Sequence, residues 1–177
     1  VEGDGGDFSE VEIIDIGTSD FFAAIQREID FAWIYYGWTG VEAELRGVEL
    51  NFLELRYLDE ALDYYTPVLF TNEQLIEGEP ELVEKFMRAT TKGYEYAIEH
   101  PEEAARVLLS YAPELDEELV IASQQYISPR YQDDAVRWGE QSAEVWERYA
   151  RWMYQQELLP EMIDVDKAFT NQFLPVK

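Results

Sequence analysis

The residues best suited to chemistry lie in one stretch, Asp30-Phe-Ala-Trp-Ile-Tyr-Tyr-Gly-Trp-Thr-Gly-Val-Glu-Ala-Glu-Leu-Arg46. Trp33, Tyr35, Tyr36 and Trp38 place four aromatic rings within six residues, and acids follow on a short amphipathic run. An aromatic ring at the end of a strand offers its π-face to a planar heteroaromatic molecule. A carboxylate one helical turn on accepts that molecule's N–H donors. Tyr36, Trp38, Thr39 and Glu42 are therefore the first candidate binding residues. A local role competes for Glu42, because Thr39-Gly-Val-Glu42 has the spacing of a helix capping box. Strand alternation also assigns half of the aromatics to a core. Tyr64 and Tyr65 form a second candidate pair, where sheet-like composition gives way to helical; an amphipathic edge strand is the competing reading. Thr18, in Gly17-Thr18-Ser19, follows a strand and opens a helix, where backbone N–H groups face a ligand. Trp138, Trp146 and Trp152 have helical spacing and are expected in the core.

Composition narrows the chemistry. With 38 acids against 13 bases and a net charge of −25, the chain lacks the clustered Lys and Arg that phosphate neutralisation requires. Neither nucleic acid nor an anionic membrane surface is an expected partner; the acids read as solvated helix faces. The absence of Cys removes disulfides, thiol catalysis and Cys-ligated zinc. The single histidine, His100, precedes Pro101 at a helix end and is expected to face the terminal carbonyls rather than a substrate. So many carboxylates are present that no pair marks an acid/base dyad. No cofactor, metal or catalytic group is expected. No apolar run approaches the length of a membrane span. Without a signal peptide or initiator Met, the chain is expected to be a processed or truncated product.

The elements that must position these residues follow from periodicity. Residues 1–7 are Gly-rich and acidic, a frayed end. Val11–Ile16, residues 30–36 and Leu50–Leu58 read as three strands. Two short helices, Asp20 to about Glu28 and Thr39 to Arg46, alternate with them. This order predicts an α/β fold with a parallel sheet and right-handed crossovers, thin enough to need further strands. Residues 64–70 are extended, and Thr71-Asn-Glu-Gln74 opens a helical turn. Helices are then expected from Pro80 to about His100, from Pro101 to Ala112 and from Asp116 to Ile127. The longest is expected from Asp133 to about Leu158, with an apolar arc wide enough to need two partners. A capped turn at Asp164–Phe169 closes the series.

The segments Phe31-Ala-Trp-Ile-Tyr-Tyr-Gly-Trp-Thr-Gly-Val-Glu-Ala-Glu-Leu and Asp63-Tyr-Tyr-Thr-Pro-Val-Leu-Phe-Thr-Asn resemble the NMT1/THI5-like solute-binding proteins. The likeness continues through Leu82-Val-Glu-Lys-Phe-Met-Arg-Ala-Thr-Thr-Lys-Gly-Tyr-Glu-Tyr-Ala and Pro101-Glu-Glu-Ala-Ala to Ala168-Phe-Thr-Asn-Gln-Phe-Leu-Pro175. The aromatic-Gly-Trp segment is its specific part. The resemblance implies a type II periplasmic-binding-protein fold, of which this chain is the C-terminal half. Residues 1–62 would be a partial second lobe, 63–72 the interlobe crossover, and 73–177 a helical part packing on a first lobe that this chain lacks. It implies an extracytoplasmic receptor, periplasmic or lipid-anchored, that passes a thiamin pyrimidine precursor to the permease subunits of an ABC importer. A sister branch binds riboflavin. Fungal relatives of the fold make the thiamin pyrimidine enzymatically, which would require a reactive Lys and His near the cleft. Here every Lys falls in the helical half. An acidic interaction module without a small ligand is the remaining alternative, and it requires Tyr36 and Trp38 to be buried against the chain's own helices.

Overall fold

The computed structural model describes residues 5–15, 21–26, 29–133 and 135–176. Contacts divide the chain into two units, Val1–Tyr35 and Tyr36–Lys177. In the first, a 3-10 turn at Phe8–Glu10 is capped by the Asp7 carboxylate, which accepts the Ser9 N–H at 2.8 Å. Hydrogen bonding by the Ser9 side chain, and then by its backbone N–H, holds the Asp7 carboxyl below its ordinary range. Helix α1 (Phe21–Ala24) buries Phe22 and Ala24, and Phe21 meets Phe22 edge-on at 5.1 Å.

The expected parallel sheet is not seen. Among the described residues there is no strand: 11–15, 31–35 and 48–54 are irregular, and Ile16 lies outside the described residues. β-branched and aromatic residues favour a pleated surface only when a neighbouring strand completes the ladder and a second layer covers a face. The third expected strand is cut short as well, since Leu55–Leu58 coil into a short helix α3, followed by a 3-10 turn at Glu60–Leu62.

The second unit is helical. Tyr36–Gly40 form a π-turn that runs directly into α2 (Val41–Leu45); Arg46 is its C-cap, and Gly47 follows with a φ of +66° that suits glycine. Asn72, not its neighbour Thr71, caps α4 (Glu73–Gly78) by accepting the Leu75 N–H at 2.8 Å. Pro80 and Pro101 occupy the first positions of α5 (Pro80–Glu99) and α6 (Pro101–Tyr111), where a missing N–H costs nothing. Asp116 caps α7 (Glu117–Ile127) through the Leu119 N–H. Val83, Ala97, Ala105, Leu119 and Val120 form the buried seam of α5, α6 and α7. Ser128, at the turn after α7, is buried too. Its hydroxyl donates to the Ala97 carbonyl at 2.7 Å and accepts from Gln124 at 2.9 Å, so the polar group is satisfied.

The longest expected helix is shorter than its apolar pattern. Helix α8 spans Ala143–Gln155, with Ser142 as its cap. Positive φ at Asp133 (48°) and Gly139 (81°) breaks helical geometry upstream. Trp138 therefore leaves the stripe of Tyr149 and Trp152 and stacks on Tyr94 of α5, ring centroids 4.3 Å apart. The remaining α8 arc does meet two partners. Tyr149 stacks on Tyr64 of the segment after Leu62, and Trp146 lies parallel to Phe169, just past α9 (Val165–Ala168). Arg148 fastens the first contact by donating to the carbonyls of Glu60 (2.8 Å) and Asp63 (3.0 Å).

Candidate functional site

The π-turn Tyr36–Gly40 is held from one side by α7. The Gly37 carbonyl accepts the Ser123 hydroxyl, and a Cβ on Gly37 would stand 2.5 Å from Ile127 Cγ2. Gly40 lies just as tightly beneath the Tyr36 ring, 2.6 Å from its nearest atoms to a built Cβ. Both glycines of Tyr-Gly-Trp-Thr-Gly are thus explained by close approach.

Tyr36 is a fastened ring rather than an open platform. It sits between Phe52 (4.5 Å) and Tyr126 (5.0 Å), and the Arg130 guanidinium covers the Tyr126 ring at 3.7 Å. Its hydroxyl donates to Glu44. That bond, then burial, pushes the Tyr36 phenol from 10.0 up to about 12. The neutral phenol is the form the fold stabilises. This contribution is complete below pH 10 and is lost as pH rises from about 10 to 12. In an alkaline absorbance titration, the tyrosinate signal missing from Tyr36→Phe is expected to appear near pH 12, and Glu44→Gln to move it toward 10. A Tyr36 signal near 10 in the wild-type chain refutes the Glu44 bond.

Trp38 is the contrasting ring. It is 38 % exposed and makes no ring contact among the described residues. Thr39 is half-buried inside the π-turn. The expected capping box is absent, because the residue before α2 is Gly40 and no side chain caps the helix. Glu42 instead pairs with Arg46 one turn on and keeps a side-chain exposure of 23 %. Tyr36, Trp38, Thr39 and Glu42 thus share one turn and the helix it opens.

Tyr64 and Tyr65 go elsewhere. The Tyr64 ring lies flat on Tyr149 at 4.1 Å, and the Tyr65 hydroxyl accepts the Ser142 N–H at 2.9 Å. Among the described residues, no hydrogen bond or ring contact joins this pair to the Tyr36–Trp38 turn. Thr18, with Gly17 and Ser19, lies outside the described residues. The sequence carries no local signal for Phe52 and Tyr126, which fasten Tyr36 from other elements, or for Glu44, which does so from the adjoining α2.

Two concave regions lie elsewhere in the second unit. A groove of about 490 Å³ runs between Asp59–Ala61 and the face of α8 bearing Glu144, Glu147, Arg148 and Arg151. A cavity of about 220 Å³ lies between α5 and the turn before α8. Among the described residues, no group of three His, Asp or Glu is placed to hold a metal ion. Nor is any helix among them long and apolar enough to cross a membrane.

Comparison with known proteins gives a consistent kinship. The chain is 27% identical over 180 residues to a formylaminopyrimidine-binding protein of Halalkalibacterium halodurans, covering 97% of this chain and 53% of the relative. It is 27% identical over 173 residues to the riboflavin-binding protein RibY of Chloroflexus aurantiacus, covering 94% of this chain and 48% of the relative. It is 26% identical over 172 residues to a 4-amino-5-hydroxymethyl-2-methylpyrimidine phosphate synthase of Legionella pneumophila, covering 97% of this chain and 53% of the relative. The chain spans about half the length of each. The family described as NMT1/THI5 like matches residues 1–104, more than half of the chain. With the aromatic-Gly-Trp turn inside the matched region, the chain belongs to the NMT1/THI5-like family.

Proposed function

We propose that this chain is part of the extracytoplasmic solute-binding component of an ABC importer, and that it binds a small heteroaromatic metabolite, a thiamin pyrimidine precursor. The observation that carries the reading is Trp38, an exposed indole on a turn pinned to α7 through Gly37. A ring with no aromatic partner among the described residues, on a turn held against α7, suits stacking against a planar ligand. Glu42, half-buried and ion-paired with Arg46, lies on the adjoining turn, and in this reading its carboxylate accepts the ligand's N–H donors. Tyr36 supports the turn from beneath. In this reading residues 1–62 belong to the second lobe of a two-lobed receptor and 63–72 to the crossover between lobes. The irregular runs 11–15, 31–35 and 48–54 then pair with strands supplied by the rest of the protein. Tyr64 and Tyr65 brace the crossover against α8, and closure about it reports occupancy to the permease.

A flavin is the second reading, favoured by the RibY relative, since one exposed indole serves any planar ring. An enzymatic role has one relative named as a synthase in its favour. Against it, Lys85 pairs with Glu81 and Lys167 with Asp164 on exposed helix faces.

The test is a thermal-shift and calorimetric panel of pyrimidines, thiamin and flavins against the chain carried at its relatives' length. Saturable stabilisation by the aminopyrimidines is expected; at 100 times Kd it amounts to about 2.7 kcal/mol. Stabilisation by flavins alone selects the second reading, and no stabilisation by either class refutes both.

A further inference from the structure

The 220 Å³ cavity shares no residue with the Tyr36–Trp38 turn. One wall is the face of α5 that carries Arg88, Thr91, Lys92 and Glu95, spaced i, i+3, i+4 and i+7; Arg137 and Trp138 form the other. In a chain of net charge −25, three of the 13 bases meet in this one small space. Arg46, Arg56, Lys85, Arg106 and Lys167 all pair with carboxylates. Among the described residues, Arg88 and Lys92 make no ion pair, although they stand one helical turn apart and repel each other.

The second observation is independent of charge. Thr91 is only 6% exposed, and its Oγ1 is buried without a hydrogen-bond partner. Nearly every buried hydroxyl finds an acceptor, and leaving one unmatched destabilises the fold. Within a helix such a hydroxyl ordinarily bonds a carbonyl of the preceding turn; this one does not. The opposite wall is firm. Trp138 is 8% exposed and stacked on Tyr94. The Arg137 guanidinium is oriented by the Pro175 carbonyl at 3.2 Å and Glu140 at 3.6 Å.

We propose that this cavity binds a small oxyanion of the phosphate class. Arg88, Lys92 and Arg137 supply the charge, and the Thr91 hydroxyl donates from the floor. Guanidinium and ammonium side chains lining one small cavity offer donors that match phosphate oxygens in charge. The volume lies below that of pockets for drug-sized ligands, which fits a compact anion. Glu95 faces the same space and opposes the anion, so it sets an upper bound on affinity rather than contributing to it.

The experiment is calorimetric titration of the full chain with inorganic phosphate at constant ionic strength, with melting curves in parallel. Saturable binding and a rising Tm are expected. Arg88→Gln combined with Lys92→Gln, both exposed side chains, is expected to weaken binding about tenfold or more. Glu95→Gln is expected to tighten it several-fold. Thr91→Val separates a ligand donor from a packing residue: it is expected to raise the phosphate-free Tm by about 3 °C, by removing the unmatched hydroxyl, while weakening phosphate binding. A Tm response that is not saturable, or that persists unchanged in the Arg88/Lys92 double variant, is a bulk salt effect and overturns the proposal. Because the probe is phosphate and the residues are separate, neither failure bears on the aromatic-ligand reading.

Discussion

Trp38→Ala is expected to weaken binding of the heteroaromatic ligand by about 10- to 100-fold while lowering the ligand-free Tm by only a few degrees. A stacked aromatic ring contributes about 1–3 kcal/mol per planar base, and each 1.4 kcal/mol is a factor of ten in affinity. The ligand-free cost is small because the indole is 38 % exposed and has no ring partner among the described residues. Tyr36→Ala is expected to do the reverse. It removes a ring wedged between Phe52 and Tyr126 along with its bond to Glu44, so most of its effect is lost stability, about 2–4 kcal/mol. The pair of variants separates two rings that the sequence places side by side. Calorimetry on the chain carried at its relatives' length, with melting curves of both variants, reads the difference. Equal loss of stability in the two, with binding intact, assigns both rings to the core and supports an interaction module without a small ligand.

The helical half was legible because its signals are local. Pro80, Pro101 and Asp116 fix their helix starts whatever packs on them. The strands were not, because a strand is a relation between segments: the Val11–Ile16 and Leu50–Leu58 patterns state a preference that only a paired neighbour realises. The over-long reading of α8 has another cause. Trp138 falls on the helical stripe of Tyr149 and Trp152, yet Gly139 at φ +81° ends that register and turns the indole onto α5. At the candidate site, the sequence showed the density of rings but not their division of labour. Tyr36 differs from Trp38 in what approaches it: the rings of Phe52 and Tyr126 and the Glu44 carboxylate. The capping-box spacing at Thr39–Glu42 matched a pattern that the π-turn pre-empts by starting the helical path three residues earlier. Arg88, Thr91, Lys92 and Glu95 did carry a readable sign: two bases at i, i+4 with a threonine between them, in a chain where bases are scarce.

Gly37→Ala is expected to destabilise the chain by about 1–3 kcal/mol, the usual cost of overpacking, which for a chain of this size lowers Tm by about 2–12 °C. The added Cβ would lie 2.5 Å from Ile127 Cγ2. That methyl sits on a β-branched carbon with a stiff χ1, so it cannot swing aside as a long side chain would. Either α7 or the π-turn must move, and moving the turn also strains the Ser123 bond to the Gly37 carbonyl. Gly93→Ala supplies the opposite sign: nothing lies within 4 Å of its built Cβ in the middle of α5, so the change is expected to stabilise by about 0.5–1 kcal/mol. Ile127→Ala, by removing the obstructing methyl, is expected to make Gly37→Ala much cheaper in a double-mutant cycle. If the Gly37→Ala cost is unchanged on the Ile127→Ala background, the turn is not seated on α7 through this contact. Because Trp38 follows Gly37 directly, the same substitution displaces the exposed indole. Gly37→Ala is therefore expected to lose ligand affinity as well as stability, whereas Trp38→Ala loses chiefly affinity.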